Sequence, residues 1–444
     1  MTTEKSLELN NAAINRAPLL LAMSLCTAAL VCIGQIVAST AVVAFALIML
    51  LVICVLSCAT DEALPVLLFY LPWSPLLKLS RGSISFFTIA ILLICGLYFI
   101  KNKLYLDLYQ IVLTGAIIVL TLVGKAIQDT AFANSYFVFI VMLLFFPCVT
   151  KGAARGESFA EMTTFFALGI ISAALSAQYS TKHPTIAQYI TVDSYLTITR
   201  LSGYYGDPNF YSAQITACLA GVQLLLIFED KKGSRILFFI LGIVLIYCGL
   251  LSASKSYIVV LAALFLVWIF IVLSGKHLSR SWQLLIAAAC AALVAFSSSQ
   301  FQSLLRIVDT RFSYASNVSE LTTGRTDIWK MYIDELMRNV SLNLFGQGYS
   351  MVNLNGRASH NTIIQSIYQF GLIGTPFMLA WIYLSLKSAL PSFGAKRIRF
   401  KYALLMGIGI ILPWMALDLL FFDEFFLLPV YGLIGVVYAS ERSR

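Results

Sequence analysis

Arg200, Arg325 and His360 stand in polar stretches of an otherwise apolar chain. Arg200 opens the run Arg200-Leu-Ser-Gly-Tyr-Tyr-Gly-Asp-Pro-Asn209. Within it, Pro208 suits the first position of a helix and Asp207 suits its cap. That part has an ordinary structural explanation. Arg200 has none, because the only acidic residues near it in sequence are Asp193 and Asp207. Arg325 lies in Thr322-Thr-Gly-Arg-Thr-Asp-Ile-Trp329, at the predicted start of an amphipathic helix. A cation there opposes the helix dipole, a local cost unless an anion binds. A guanidinium at a helix N-terminus makes a good phosphate site. The ordinary alternative is an ion pair with Asp327 or Glu320.

His360 sits in Ala358-Ser-His-Asn-Thr-Ile-Ile-Gln-Ser-Ile-Tyr-Gln-Phe-Gly-Leu-Ile-Gly374. Ser359 is the expected cap, with His360 opening the span. The dipole at that position favours neutral imidazole, which can accept a proton. The competing reading is an interfacial histidine bonded to water. Lys255, in Ser252-Ala-Ser-Lys-Ser256, is either a snorkelling bilayer anchor or another phosphate contact. Asp418, Asp423 and Glu424 border the last outer turn and are candidate partners for these cations.

The elements that must position these residues are membrane helices. Of 444 residues, 60% are hydrophobic and only 11% charged, with mean hydropathy +0.87. A soluble domain carries about a quarter charged residues, so the bilayer is the main solvent here. Apolar runs recur along the whole chain, unlike the single run of a signal peptide. A span needs roughly 20 apolar residues, within about 17 to 25. Candidates are 17–39, 41–58, 63–79, 83–100, 105–125, 133–150, 158–178, 209–229, 235–252, 256–274, 281–298, 360–387, 400–420 and 424–440. Segment 63–79 holds three prolines and 424–440 is short, so the expectation is an all-α polytopic membrane protein with 12–14 transmembrane helices. Its parts are an N-terminal bundle (1–178), a first loop (179–208), central helices (209–298), a large loop (299–359) and C-terminal helices (360–444).

Alternating from a cytoplasmic N-terminus puts eighteen of the thirty basic residues in inside segments, as the positive-inside rule requires. Both termini are then cytoplasmic. The net charge of +9 is a topology signal and gives no reason to expect nucleic acid as a partner. Short outside loops hold Lys78, Arg81, Lys125 and Lys255. The other eight basic residues lie in the two long outside loops. Long irregular segments in compact architectures are functional or disordered, and the Tyr, Trp, Ile and Leu content argues against disorder. In the second loop, Ile328, Trp329, Tyr332, Ile333 and Leu336 recur at helical spacing. They predict an amphipathic helix against the membrane surface or the spans. Glycines 346, 348 and 356 then break the chain into turns. Nine cysteines in apolar runs and three scattered histidines (His183, His277, His360) give neither a metal pattern nor a disulfide framework.

These stretches, in this order and separated by spans, resemble the O-antigen ligase and polysaccharide polymerase superfamily. The matching elements are Arg200 with Gly-Tyr-Tyr-Gly-Asp-Pro-Asn, Gly324-Arg325 with Trp329, Phe345-Gly-Gln-Gly348, and His360-Asn361 with Gly371-Leu-Ile-Gly374. They cover roughly residues 195–380. The resemblance implies a GT-C-like bundle with its active site on the periplasmic face of the bacterial inner membrane. It implies a glycosyltransferase of lipopolysaccharide biosynthesis that takes a glycan from undecaprenyl pyrophosphate, with no metal or cofactor. A ligase gives that glycan to lipid A–core, and a polymerase gives it to another glycan. By position, Arg200 and Arg325 would hold the pyrophosphate and stabilise the leaving charge. Lys255 and Asn361 would add contacts to it, and His360 would deprotonate or orient the acceptor hydroxyl. Family members often carry Arg at the position of Lys255, so this chain keeps the charge and loses bidentate geometry.

The residues themselves fit such chemistry, since a glycosyl pyrophosphate has a good leaving group and mainly needs charge neutralisation and an activated hydroxyl. A transporter or flippase of lipid-linked glycan is the competing class. Transporters place polar groups at the bilayer midplane and often show internal repeats. Here the spans are nearly free of charge, no clear repeat is found, and polar residues concentrate in the outside loops.

Overall fold

The computed structural model describes residues 16–60, 62–80, 83–102, 107–131, 158–187, 192–195, 198–274, 324–349, 353–387, 398–417 and 424–443, and single positions within 136–147 and 302–313. The helices are α1 (Ala17–Ile36), α2 (Thr40–Thr60), α3 (Ala63–Tyr70), α4 (Phe86–Asn102), α5 (Leu108–Gln128), α6 (Phe159–Ser180) and the single turn α7 (Pro184–Ala187). They continue as α8 (Pro208–Phe228), α9 (Lys232–Leu250), α10 (Lys255–Leu273), α11 (Arg325–Arg338), α12 (Val340–Phe345), α13 (Thr362–Lys387), α14 (Phe400–Ile410) and α15 (Leu427–Arg442).

Among the described residues nine helices are long and apolar enough to cross a membrane, and three shorter apolar helices join them. The protein is a multi-pass helical membrane protein. The candidate span 281–298 and half of 133–150 lie outside the described residues, as do residues 314–323 of the large loop and the carboxylates Asp418 and Asp423.

Two expectations about spans change. Segment 424–440 is a continuous helical stretch of 19 residues, Glu424–Arg442. Segment 400–420 is instead broken: α14 stops after 11 residues and a 3-10 turn, Leu412–Ala416, follows at Pro413. Segment 63–79 also stops short. Its helix α3 passes into the 3-10 turn Leu71–Trp73 at Pro72, and every residue from Ala63 to Trp73 is buried. Proline removes a donor and clashes with the preceding turn. Such breaks survive at membrane depth where protein covers the freed backbone.

The bundle has two chemically different ends. At one, Arg442 Nη1 pairs with Asp230 Oδ2 at 2.7 Å, and Lys101 Nζ donates to the Cys58 carbonyl at 2.9 Å. At the other, the loop end, α8, α10 and α13 begin. The first loop contains an element that α-helical periodicity did not anticipate. Strands β1 (Val192–Tyr195) and β2 (Ile198–Leu201) form an antiparallel ribbon whose register sets Asp193 opposite Arg200. Helix α8 is the central post. It packs against α6, α9, α10, α14 and α15 and is buried along nearly its whole length. Small residues permit close approach, as membrane helices need. A Cβ on Gly221 would overlap the Tyr431 hydroxyl, which bonds Thr163 Oγ1 at 2.9 Å.

The segment expected as one span at 360–387 is two helices. Gly371 takes φ 68° and ψ 178° inside α13 and breaks it. The turn Phe345–Gly348 fills the break. Gly346, at φ 69°, lies against the Gln369–Gly371 backbone, and Gln347 N donates to the Tyr368 carbonyl at 3.0 Å. On its other side Gly346 O and Gly348 N would each be 2.9 Å from a Cβ at Gly124 of α5. Lys125, expected in a short outside loop, belongs to the last turn of α5, where it is buried and donates to the Ala131 carbonyl at 2.9 Å.

Gly346→Ala is expected to lose about 1–3 kcal/mol from backbone strain alone, with the overlap on Gln369 added. The drop should appear as a lower apparent melting temperature of the purified protein. Gly115→Ala, where a side chain meets nothing within 4 Å, should leave that temperature unchanged or raise it.

Candidate functional site

Arg200 is buried on β2, and its Nε donates to the Ser252 carbonyl at 3.1 Å. Beside it, Leu201 N donates to the Leu251 carbonyl at 3.0 Å. These bonds seat the ribbon on the turn between α9 and α10. That turn needs Ala253 at φ 46°, and Ser252 Oγ closes it on the Gly249 carbonyl at 2.6 Å. Ser254 then caps α10, accepting from Tyr257 N at 3.4 Å, and Lys255 is the first helical residue.

The α8 start lies against the same turn. Asp207 caps α8 as expected, its Oδ1 accepting from Asn209 N at 2.7 Å and Nδ2 at 2.8 Å. Asn209 Oδ1 in turn accepts from Ser254 Oγ at 2.7 Å and Ser256 Oγ at 3.3 Å. Two helix N-termini are thereby joined side by side, with Arg200 and Lys255 at the junction. Each N-terminus carries roughly half a positive charge from unsatisfied N–H groups. The Asp207 cap belongs to this network, and the ribbon register sets Asp193 opposite Arg200.

Arg325 is the first residue of α11, following Gly324 at φ 75°. The helix holds the segment leading to His360 through its aromatic face. Trp329 Nε1 donates to the Ser359 carbonyl at 3.0 Å. Tyr332 Oη donates to the Arg357 carbonyl at 2.8 Å and accepts from Leu354 N at 3.0 Å. Between Leu354 and Arg357 the chain reverses through Asn355 and Gly356, both at positive φ. Asn-Gly is the pair that such a turn prefers.

The α13 cap differs from the one expected. Asn361, rather than Ser359, caps the helix, its Oδ1 accepting from Ile363 N at 3.0 Å and Ile364 N at 3.2 Å. Ser359 Oγ instead ties the approach by bonding the Asn361 carbonyl at 3.1 Å. His360 therefore lies just outside the helix, at φ 49°, and Asn361 spends its oxygen on the cap while keeping its amide donors. Thr362 Oγ1 donates to the Leu417 carbonyl at 2.8 Å, just after the 3-10 turn that packs on α8, α10 and α13. The His360 segment and the Arg200–Lys255 corner thus occupy the same end of the bundle.

A third polar group was only partly legible. Glu424 Oε2 accepts from Ser74 Oγ at 2.7 Å and Tyr205 Oη at 3.2 Å, and Tyr205 also reaches the Leu71 carbonyl at 2.9 Å. Its place at the last outer turn suggested a cation as its partner; its hydrogen bonds are to hydroxyls more than 200 residues away in the chain. Neighbouring Tyr204 is buried against Trp73 with its hydroxyl 2.6 Å from Ser176 Oγ. Burial pushes its phenol above the ordinary range, so it stays protonated. Among the described residues no group of three His, Cys, Asp or Glu is arranged to hold a metal ion. No family model matches the sequence, and no curated protein and no solved structure matches it.

Removing the Tyr332 hydroxyl leaves one buried donor and one acceptor unmade, at a cost of about 1–3 kcal/mol. Tyr332→Phe should therefore speed tryptic cleavage after Arg357 in the otherwise folded protein. Trp329→Phe, losing one bond, should have the smaller effect in the same digest.

Proposed function

We propose that the protein is an O-antigen ligase, transferring a glycan from undecaprenyl pyrophosphate to lipid A–core at the periplasmic face of the bacterial inner membrane. The observation that carries this reading is the junction of the α8 and α10 N-termini at Arg200 and Lys255. A buried guanidinium beside two positive helix ends suits a diphosphate. In the proposed reaction the acceptor hydroxyl oxygen forms a bond to the anomeric carbon. The bond from that carbon to the pyrophosphate oxygen breaks, and undecaprenyl pyrophosphate leaves with the electron pair. His360 takes the hydroxyl proton. Arg200, Arg325 and Lys255 offset the charge that develops on the leaving group. Asn361, through its amide, is available to a phosphate oxygen or the acceptor.

The sidedness follows from the charge pattern. Basic residues such as Lys101, Lys231, Lys232, Lys401 and Arg442 gather at the end opposite the loops, the expected cytoplasmic side.

Purified protein given undecaprenyl-pyrophosphate-linked glycan and lipid A–core should form the conjugate. His360→Ala should lower the rate about 10²–10⁴-fold, the usual worth of a general base. Arg325→Ala should weaken carrier binding by about 1.5–3 kcal/mol, the range for hydrogen bonds to charged groups. Full activity of His360→Ala would refute the mechanism. Longer carrier-linked glycan made without lipid A–core would assign a polymerase instead, and vectorial movement of intact carrier without transfer would assign a transporter.

A further inference from the structure

Helix α11 has two apolar flanks and uses only one of them inside the protein. Tyr332 and Leu336 are buried against Tyr368 of α13 and Leu342 of α12. The adjoining flank is open: Ile333 is 49% exposed and Met337 73%. In α12, Val340 is 67% exposed and Leu344 38%. Each helix thus presents one exposed apolar pair at a spacing of four residues, the two pairs meeting at the extended residue Asn339.

Where these pairs lie in the bundle decides their occupant. Helix α12 packs on α5 and α13. Its Ser341 Oγ accepts from Gln128 Nε2 at 3.0 Å, and Asn339 Nδ2 donates to Gln128 Oε1 at 3.3 Å. Gln128 is the last residue of the α5 span, so the pairs begin at the level where a span leaves the bilayer. Beside it Ile127 is likewise exposed, continuing the lipid-facing exterior of α5. Lys330, three residues before Ile333, is exposed, a cation available to lipid phosphates. The adjoining face of α11 is polar. There Asp327, Lys330, Asp334, Glu335 and Arg338 line an open cavity of about 490 Å³.

We infer that Ile333, Met337, Val340 and Leu344 form a membrane-docking surface seated in the acyl-chain boundary of the leaflet at the loop end. The seat sets the height of Arg325 and of the Leu354–His360 segment above that leaflet, because Trp329 and Tyr332 tie the segment to α11. This inference stands without the transferase reading.

The test is photocrosslinking in the full-length protein. Met337→p-benzoylphenylalanine and Val340→p-benzoylphenylalanine are reconstituted in vesicles of phosphatidylethanolamine and phosphatidylglycerol, then irradiated and examined by mass spectrometry. Lipid adducts are expected at both positions, with none from Asp334→p-benzoylphenylalanine on the polar face. Absence of lipid adducts at 337 and 340, or crosslinks there to a second copy of the chain, would overturn the proposal. The readout needs no substrate, so its failure is separate from any failure of the glycan-transfer assay.

Discussion

The loop end depends on one backbone-to-backbone contact: the Phe345–Gly348 turn lies between Gly124 of α5 and the break at Gly371 of α13. A side chain at Gly346 would overlap the Gln369 carbonyl, and one at Gly371 would overlap the Leu344 carbonyl. The contact also solves a solvation problem. A helix broken at membrane depth exposes backbone groups that lipid cannot satisfy. Gln347 N takes the Tyr368 carbonyl, and Thr130 Oγ1 takes the Gln347 carbonyl at 2.8 Å. Each break supplies partners for the other, so neither element is stable without its neighbour. Through α12 this wedge holds α11, and through α11 it holds the His360 segment.

Electrostatics at the same end runs against the usual preferences of helices. Acidic residues favour the first turn and basic residues the last, each by about 0.3–1 kcal/mol. Here Lys255 and Arg325 are first residues of α10 and α11, and Arg200 is buried beside the starts of α8 and α10. Lys255 and Arg325 oppose the dipoles of the helices they open. Asp207 at the α8 cap and Asp327 in the first turn of α11 offset part of that charge. Cations also stand at helix starts at the other end, Lys232 in α9 and Lys401 in α14, where the positive-inside preference accounts for them. At the other end Arg442 occupies the last turn of α15 and Lys387 that of α13, where cations are favourable.

Much of this was legible from local chemistry. Hydropathy located the nine long apolar helices among the described residues to within a few residues. Asp207-Pro208 fixed one helix start, Asn355-Gly356 a turn, and the apolar spacing around Trp329 the amphipathic helix with Arg325 at its head. What escaped depends on distant partners. Glycine is ordinary in membrane helices, so Gly371 inside an apolar run carries no local sign of a break. Its conformation is forced by Phe345–Gly348. Ser359 and Asn361 are both good caps two residues apart, and the Ser359–Asn361 bonds that decide between them depend on the backbone path into α13. Val192–Leu201 alternates only weakly, and its ribbon is held by pairing to Leu251 and Ser252. The partners of Glu424, Ser74 and Tyr205, are 350 and 219 residues away and left no mark near it.

The division of labour between bundle and loops follows from these facts. Arg200 and Lys255 are carried by the starts of α8 and α10, in the most enclosed part of the bundle. Arg325 and His360 are carried by a platform that meets the bundle through the glycine wedge, the Tyr332–Tyr368 packing, the Gln128 bonds and the Thr362–Leu417 bond. Arg200 and Lys255 are thus set in the bundle, and His360 on a more peripheral element at the same end. For the proposed transfer between two membrane-held substrates, this separation is physically reasonable. The anion can be fixed by groups whose positions are set by buried packing. The group that meets the variable partner rides on an element whose height is set by shallower contacts. Were both carried by the central post, the proposed acceptor would have to enter the bundle among described spans that hold at most two charged residues each over their apolar windows.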